Sequence, residues 1–191
     1  MPDDAVTQPI LSIVRIVDAA GIPITTSRIT NKQIQRSVYQ LLAENMLCSM
    51  ASITAEGSAH INTAYFSYTP DLKIYFLSHP NAFHCQNILS NPSMALAIFS
   101  SDQTWGNSDR GLQLFGLCKQ VTGREANKAD RVYGKRFAKY ADWKANLTSD
   151  SSGRDYRLYR FITFELKVFD EKELGTGTFV VARMKGAAAN D

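Results

Sequence analysis

Three apolar segments follow one another at very short intervals between residues 46 and 78 of this 191-residue chain. Their sequences are MLCSMASIT, AHINTAYFSY and IYFLS, and the turn sequences AEGS and TPDLK connect them. Links this short join antiparallel strands, because a parallel pair needs a crossover of about a dozen residues or more. The three segments therefore predict an antiparallel sheet.

Further strand-like segments follow, and helical segments are few. SMALAIFS, LQLFGLCKQV, LYRFITFELKVFD and GTFVVAR predict four more strands. One helix is predicted over NKQIQRSVYQLLAEN, with Thr30 or Asn31 as its cap. Because helices do not alternate with the strands, a doubly wound parallel sheet is excluded. We expect a mainly β fold, an antiparallel barrel with peripheral helices.

A second, long helix is predicted to start near Glu125 and to be followed by a link without regular structure, NLTSDSSGRD. Its apolar stripe consists of Ala129, Val132, Tyr133 and Phe137, and its basic face of Lys128, Arg131, Lys135, Lys139 and Lys144. A basic face opposite an apolar stripe is typical of a solvated helix. A net charge of +3 does not indicate nucleic acid either, so we expect no nucleic-acid partner.

The first 30 residues show no clear periodicity, and GIPITTS suits either a short edge strand or an arm that packs on a partner. We divide the chain into an N-terminal arm, residues 1–32, and a barrel domain, residues 33–191. The start is acidic, and charges interrupt the apolar segment PILSIVRIVDAAGIPI, which does not match a secretory signal. The sequence predicts a cytoplasmic protein without membrane association.

Cysteine and histidine patterns exclude several kinds of site. Cys48, Cys85 and Cys118 are odd in number and widely spaced, which predicts buried thiols and not a disulfide framework or structural zinc. No HxH or HxxxH occurs, so no metal site is expected. Cys85 and His84 are neighbours on a predicted helix and point about 100° apart, which disfavours a nucleophile–base pair.

The stretch SHPNAFHCQN, residues 78–87, indicates a loop that becomes a helix, with Asn81 as its N-cap. A helix N-terminus presents free N–H groups and the positive end of the dipole, and an anion can bind there. Ser78, Asn81 and His84 would add donors, and a nearby phosphate would raise the pKa of His84. A plain cap without a ligand explains the same residues, and the residues alone favour it.

The order of these features resembles the pyridoxamine phosphate oxidase-like, FMN-binding split barrels over about residues 33–123. The helix keeps that family's Asn-x-x-x-Asn-Pro at Asn87, Asn91 and Pro92, and LQLFG keeps its apolar-x-apolar-x-Gly strand. The resemblance implies a split β-barrel with antiparallel Greek-key topology. It also implies a homodimer with FMN in a groove between the subunits.

The helix start departs from the family pattern. Ala82, Phe83 and His84 stand where the family has Ser, Arg and Lys, which are its phosphate-binding side chains. The ending VVARMKGAAAND also differs from the substrate-binding end of those oxidases. We therefore do not expect authentic pyridoxamine phosphate oxidase activity. The chain looks more like an uncharacterised bacterial branch of the superfamily.

The resemblance assigns three groups of cofactor-binding residues. Asn62, Thr63, Ala64 and Tyr65 would face the isoalloxazine ring; Ser78, His79, Asn81 and His84 would surround the phosphate; and Gln103, Trp105 and Gln113 would reach the ring or ribityl chain from the same or the partner subunit. No catalytic residue is assigned, because the flavin would carry the chemistry.

Several functions remain open at this point. The first is an FMN-dependent oxidoreductase that uses NADH, NADPH or a small-molecule substrate, with deazaflavin as another cofactor. The second is a non-catalytic protein that binds haem or flavin in the same groove, with His79 or His84 as a haem ligand. The third is a dimer with a vestigial pocket.

Overall fold

The computed structural model describes residues 11–26, 28–148 and 151–185, and eight strands are found in this part of the chain. The strands are β1 Leu11–Val17, β2 Leu47–Ile53, β3 Ala59–Tyr68, β4 Lys73–Ser78, β5 Ser93–Ile98, β6 Arg110–Gln120, β7 Arg157–Asp170 and β8 Phe179–Met184. The helices are α1 Asn31–Glu44, α2 Phe83–Ser90, α3 Gly123–Arg136, α4 Ala138–Ala145 and α5 Glu171–Leu174. All seven strands predicted from the sequence are present.

Six of these strands close into a barrel. Their order is β7-β4-β3-β2-β5-β6, and β6 pairs again with β7, antiparallel at every step. The neighbouring order β5-β2-β3-β4 is a Greek key, since the fourth strand returns beside the first. The predicted fold class is confirmed: a mainly β split barrel with peripheral helices.

The barrel splits along β7, which is 14 residues long. On one edge, residues 157–162 pair with β4 and residues 165–169 pair with β8, while the other edge pairs with β6. The β6–β7 register shifts between Phe115 and Gly116. A Cβ on Gly116 would lie 1.9 Å from the carbonyl oxygen of Ile162, so only glycine is accommodated at this crossing.

An eighth strand lies within the segment predicted as an arm. β1 pairs with β8, and Val17 bridges to Pro23. This strand is not predicted, because its sequence LSIVRIV does not alternate between apolar and polar residues; Leu11 and Val17 are buried, whereas Arg15 is exposed. Residues 1–10 and Ser27, which belong to the same predicted arm, lie outside the described residues.

Helix α1 packs its apolar face into the barrel core. Thr30 is its N-cap, in a capping box with Gln33. Its buried side chains Ile34, Val38, Leu41 and Leu42 join the main core cluster. The buried Asp170 at the end of β7 also binds this helix, because it accepts a hydrogen bond from Ser37 at 2.5 Å.

The prediction of one long second helix is wrong, because the helix is interrupted at Phe137. That residue is extended, with φ −117° and ψ 93°, and separates α3 from α4. The break lets the Tyr140 ring pack back to 3.6 Å from where a Cβ of Gly134 would lie. Side-chain packing therefore outweighs the helical periodicity. Of the link predicted over NLTSDSSGRD, Ser152–Asp155 forms a 3-10 turn, and residues 149–150 lie outside the described part.

The three cysteines are buried free thiols, as predicted. Within the described ranges, no helix is both long and apolar enough to cross a membrane.

Candidate functional site

A groove of about 820 Å³ lies between the barrel and the α3–α4 region. Four of its lining residues come from β3, namely Asn62, Thr63, Ala64 and Tyr65, and three from the next strand and helix, namely Leu77, Ser78 and His84. The opposite wall consists of Tyr133, Trp143, Leu147, Ser151, Ser152, Gly153 and Tyr156. Its volume lies within the range of about 300–1,000 Å³ that is usual for small-molecule sites.

All four β3 residues that are predicted to face the isoalloxazine ring, Asn62 to Tyr65, line the groove. This segment pairs with β2, which places Thr63 opposite Ser49 and Tyr65 opposite Leu47. The side-chain oxygen Oδ1 of Asn62 is buried and has no hydrogen-bond donor within the described residues. A buried acceptor without a partner costs free energy, so this atom is suited to a ligand that donates a hydrogen bond.

Ser78 and His84 form a hydrogen-bonded pair at the other end of the groove. Ser78 ends β4, His84 is the second residue of α2, and Ser78 Oγ lies 2.8 Å from His84 Nε2. Burial lowers the pKa of His84, and the nearby His60 lowers it further. The imidazole is therefore neutral near pH 7 in the ligand-free structure.

The N-terminus of α2 is not capped as the sequence predicts. Ala82 occupies the N-cap position, and the N–H groups of Cys85 and Gln86 both donate to its carbonyl oxygen. Asn81 is exposed, and its backbone N–H donates to Nδ1 of His79 at 3.1 Å. The turn around His79 therefore moves the helix start past Asn81, and the predicted Asn81 cap is wrong.

The other predicted site residues are not among those that line the groove. His79 stands at its rim, where its ring contacts Tyr156 edge-on at 5.8 Å. Gln103 accepts a hydrogen bond from the Arg110 N–H at 2.5 Å, and Trp105 is 97% exposed. Gln113 faces the outer surface of the barrel, in depressions of about 190 and 170 Å³. That these last three reach the cofactor from a partner subunit stays a prediction.

The aromatic wall is the part that sequence reasoning misses. Tyr140 stacks on Trp143 at 5.7 Å, and Trp143 meets Tyr156 edge-on at 6.2 Å. Asp130 of α3 holds α4 in place, because it accepts hydrogen bonds from Tyr140 at 2.8 Å and from Lys144 at 2.7 Å. The aromatic residues between positions 133 and 156 were a usable signal, but only Tyr133 and Phe137 entered the predicted apolar stripe, and no role was predicted for Tyr140, Trp143 or Tyr156.

The groove is uncharged over its described lining, which contains no lysine, arginine, aspartate or glutamate. Arg157 follows Tyr156 directly, but its guanidinium donates to the carbonyl oxygens of Arg154 and Tyr156. Any anion at the α2 end would therefore depend on backbone N–H groups, Ser78 and His84.

Comparison with protein families identifies the chain. The family model described as pyridoxamine 5'-phosphate oxidase matches residues 34–167, and the chain belongs to this family. No curated protein matches the chain.

Solved structures share the fold at low sequence identity. One is HutZ, the heme storage protein from Vibrio cholerae, at 17% identity and TM-score 0.57, covering 76% of this chain and 93% of that chain. A heme binding protein from Mycobacterium smegmatis is 16% identical, with a TM-score of 0.62, and the match covers 83% of this chain and 60% of that chain. The third comes from Clostridium acetobutylicum and is related to general stress protein 26, of the pyridoxinephosphate oxidase family. It is 9% identical, with a TM-score of 0.58, and the match covers 80% of this chain and 95% of that chain.

Proposed function

We propose that this protein binds FMN in the groove and acts as an oxidoreductase, with the groove completed by the second subunit of a homodimer. One observation carries the proposal. The β3 segment predicted to face the flavin ring and the Ser78–His84 pair predicted to bind its phosphate line the same groove. These residues lie in separate elements, and only the folded chain brings them together.

The residues of the groove fit the cofactor. The N3–H group of an isoalloxazine ring can supply the hydrogen bond that Asn62 Oδ1 lacks. Thr63, Ala64 and Tyr65 continue the same surface along β3. At the α2 end, a phosphate would accept hydrogen bonds from Ser78 and from a protonated His84, since a nearby anion favours the imidazolium form.

A bound flavin would supply the transfer of electrons between NADH, NADPH or a small-molecule substrate and an acceptor. This chain's residues then have limited tasks. Asn62 orients the ring, the barrel strands and the aromatic wall exclude water, and Ser78 with His84 holds the phosphate. The described lining offers no carboxylate or lysine that could act as an acid or base.

The homodimer rests on the outer face of β2, β3, β5 and β6. Its exposed side chains include the large apolar residues Ile53, Ile61, Phe99 and Phe115. Thr63 and Tyr65 of the groove belong to the same face of β3. A second copy that covers this surface would bury apolar area and close the groove at once.

The dimer is tested by light scattering after size-exclusion chromatography. Ile61→Glu should yield monomers that no longer retain FMN, whereas Ile22→Glu, at another exposed isoleucine that lies outside the barrel, should remain dimeric. A dimer that survives Ile61→Glu would place the interface elsewhere.

Authentic pyridoxamine phosphate oxidase activity is not part of the proposal. Ala82, Phe83 and His84 replace the side chains with which those oxidases bind phosphate. Purified protein assayed with pyridoxamine phosphate should show no oxidation above background.

Haem binding is the second candidate, and the state of His84 favours it. Burial holds this imidazole in the neutral form that binds iron. Two proteins with the same fold are described as heme storage and heme binding proteins. A haem ligand at His84 would have to replace the hydrogen bond to Ser78.

An absorption spectrum of the purified protein separates the candidates. We expect a flavin spectrum that bleaches when NADH or NADPH is added, and mass spectrometry of the released cofactor distinguishes FMN from deazaflavin. A Soret band would establish haem in its place. Protein that is colourless and takes up neither FMN nor haem would overturn both and leave a vestigial pocket.

A further inference from the structure

We propose that the groove holds, beside the flavin, a second ligand: a neutral, planar aromatic ring that stacks on Trp143 and Tyr156. This inference rests on the proposed function only for the place of the flavin along β3. The ring subsite itself is argued from the opposite wall and identifies the class of substrate that the groove accepts.

The Trp143 ring is held in place before any ligand arrives. Tyr140 stacks on it with an interplanar angle of 24°, and the Tyr140 hydroxyl is anchored on Asp130. The chain of Gly153 passes so close that a Cβ there would lie 2.9 Å from the Trp143 ring. An aromatic side chain fixed in this way loses little conformational entropy when a ligand binds.

Despite these contacts, much aromatic surface of the wall remains open. Trp143 is 37% exposed and Tyr156 is 42% exposed, and both line the groove. Their rings meet edge-on, so they present two differently oriented aromatic surfaces to the same space. A planar ring can satisfy both by offset stacking on one and an edge contact with the other.

The described lining of the groove offers no charged partner to an ionised ring, because it contains no acidic residue, lysine or arginine. Burial raises the pKa of Tyr133 to about 12, so its phenol stays protonated and donates hydrogen bonds. An ionised substituent against this wall would lose its hydration without gaining a countercharge. A carbonyl group on the ring would instead accept a hydrogen bond from a phenol or serine hydroxyl.

The size of the groove leaves room for both ligands. About 820 Å³ is near the upper end of the range for small-molecule sites. The flavin surface lies on β3, whereas Trp143 lies on α4 and Tyr156 directly after the 3-10 turn, so the two surfaces belong to separate elements that line the same space.

The test uses the chain's two tryptophans. Trp105→Phe removes a fully exposed ring and leaves Trp143 as the only tryptophan reporter. Flavin-free protein of this background, in buffer with saturating inorganic phosphate to occupy the Ser78–His84 end, is titrated with 1,4-naphthoquinone and, as the matched anion, with 1,4-naphthoquinone-2-sulfonate. We expect saturable quenching of Trp143 by the neutral quinone and binding of the sulfonate that is weaker by about tenfold or more. Equal affinities would overturn the neutral class.

Two variants of Tyr156 distinguish a loss of ring stacking from a loss of protein stability. Tyr156→Phe keeps the ring and should keep the affinity, whereas Tyr156→Leu should weaken naphthoquinone binding by about fivefold. Circular dichroism establishes that both variants are folded. Equal binding by the two folded variants would show that Tyr156 does not contact the ligand.

Equilibrium dialysis in the presence of FMN distinguishes this proposal from the proposed function. If both hold, FMN is retained and naphthoquinone still binds with little loss of affinity. If FMN is not retained, the flavin proposal fails while the Trp143 titration still decides the ring subsite. If FMN is retained but displaces naphthoquinone, the wall belongs to the flavin and the second ligand is refuted.

Discussion

The two sides of the groove are built in different ways. The strand side belongs to a closed ring of paired strands, in which β3 is fixed by register to β2 and β4. The opposite wall depends on aromatic contacts and on Asp130, which ties α4 to α3, and no residue of α4 is buried. Under the proposed function, the barrel would provide a rigid cofactor surface, and the wall would decide which second ligand is admitted.

The largest expected effect is a break of the barrel itself. Gly116→Ala would bring a Cβ within 1.9 Å of a backbone oxygen of Ile162, which cannot move without disrupting β7. We expect the free energy of unfolding to fall by about 3 kcal/mol or more. Urea denaturation measures this free energy. An unchanged midpoint would mean that the β6–β7 pairing at position 116 tolerates a side chain.

The matched control lies beside the wall. Gly134→Ala places a Cβ at an ordinary 3.6 Å from the Tyr140 ring, inside helix α3. Alanine is the better helix former, so this variant should be more stable by up to about 1 kcal/mol. Opposite signs for the two glycines would confirm that the barrel, and not the wall, limits stability.

Loss of His84 should affect the cofactor more than the fold. His84→Ala removes a donor to the proposed phosphate, and we expect FMN affinity to fall by roughly tenfold, as is typical for a charge-assisted hydrogen bond of about 1.5–3 kcal/mol. Riboflavin, which lacks the phosphate, should bind the two proteins equally. Fluorescence titration with both flavins checks this, and a parallel loss for riboflavin would remove His84 from the phosphate end.

A change in the wall should leave the barrel intact. Gly153→Ala would press on Leu147 and on the Trp143 ring, at 2.7 and 2.9 Å. The end of Leu147 can turn away, so we expect a cost of only about 1 kcal/mol. Naphthoquinone binding should weaken while FMN binding stays constant. If FMN binding weakens equally, the two sides of the groove are not independent.

The smallest effect concerns pH. Burial and His60 hold the pKa of His84 below its ordinary value of 6.5. The unfolded chain therefore takes up a proton first as the pH falls, so this contribution to stability is complete above pH 6.5 and decreases from there toward the folded pKa. In unfolding experiments between about pH 7.5 and pH 5, His84→Gln should lose less stability than the unchanged protein. If stability falls equally steeply with pH in the variant and in the unchanged protein, His84 is not the source of the pH dependence.

The barrel was largely readable from the sequence, because alternation and short turns are local signals. β2, β3 and β4 follow from them directly. β1 was missed, since Arg15 interrupts its apolar pattern and its place depends on pairing with β8 at the far end of the chain. The break at Phe137 depends on how Tyr140 packs against Gly134, which no helical periodicity contains.

The candidate site was predicted on its strand side only. Asn62–Tyr65, Ser78 and His84 meet because strand order brings them together, and the family resemblance supplied that order. The wall residues Trp143 and Tyr156 meet across a polar link whose path the sequence does not reveal. Gln103 points elsewhere because its side chain binds the N–H of Arg110.

The long strand β7 has a consequence for how the chain is made. Residues 157–170 pair with β4, β6 and β8, and each of these strands needs β7 to complete its pairing. A chain growing on the ribosome therefore carries the sheet β4-β3-β2-β5-β6 with both outer edges, β4 and β6, unpaired until this segment has emerged. Ring closure waits until residues 157–170 have been made, which makes folding slow and non-local. Premature termination before Arg157 would leave two open edges, and such fragments would be prone to aggregation.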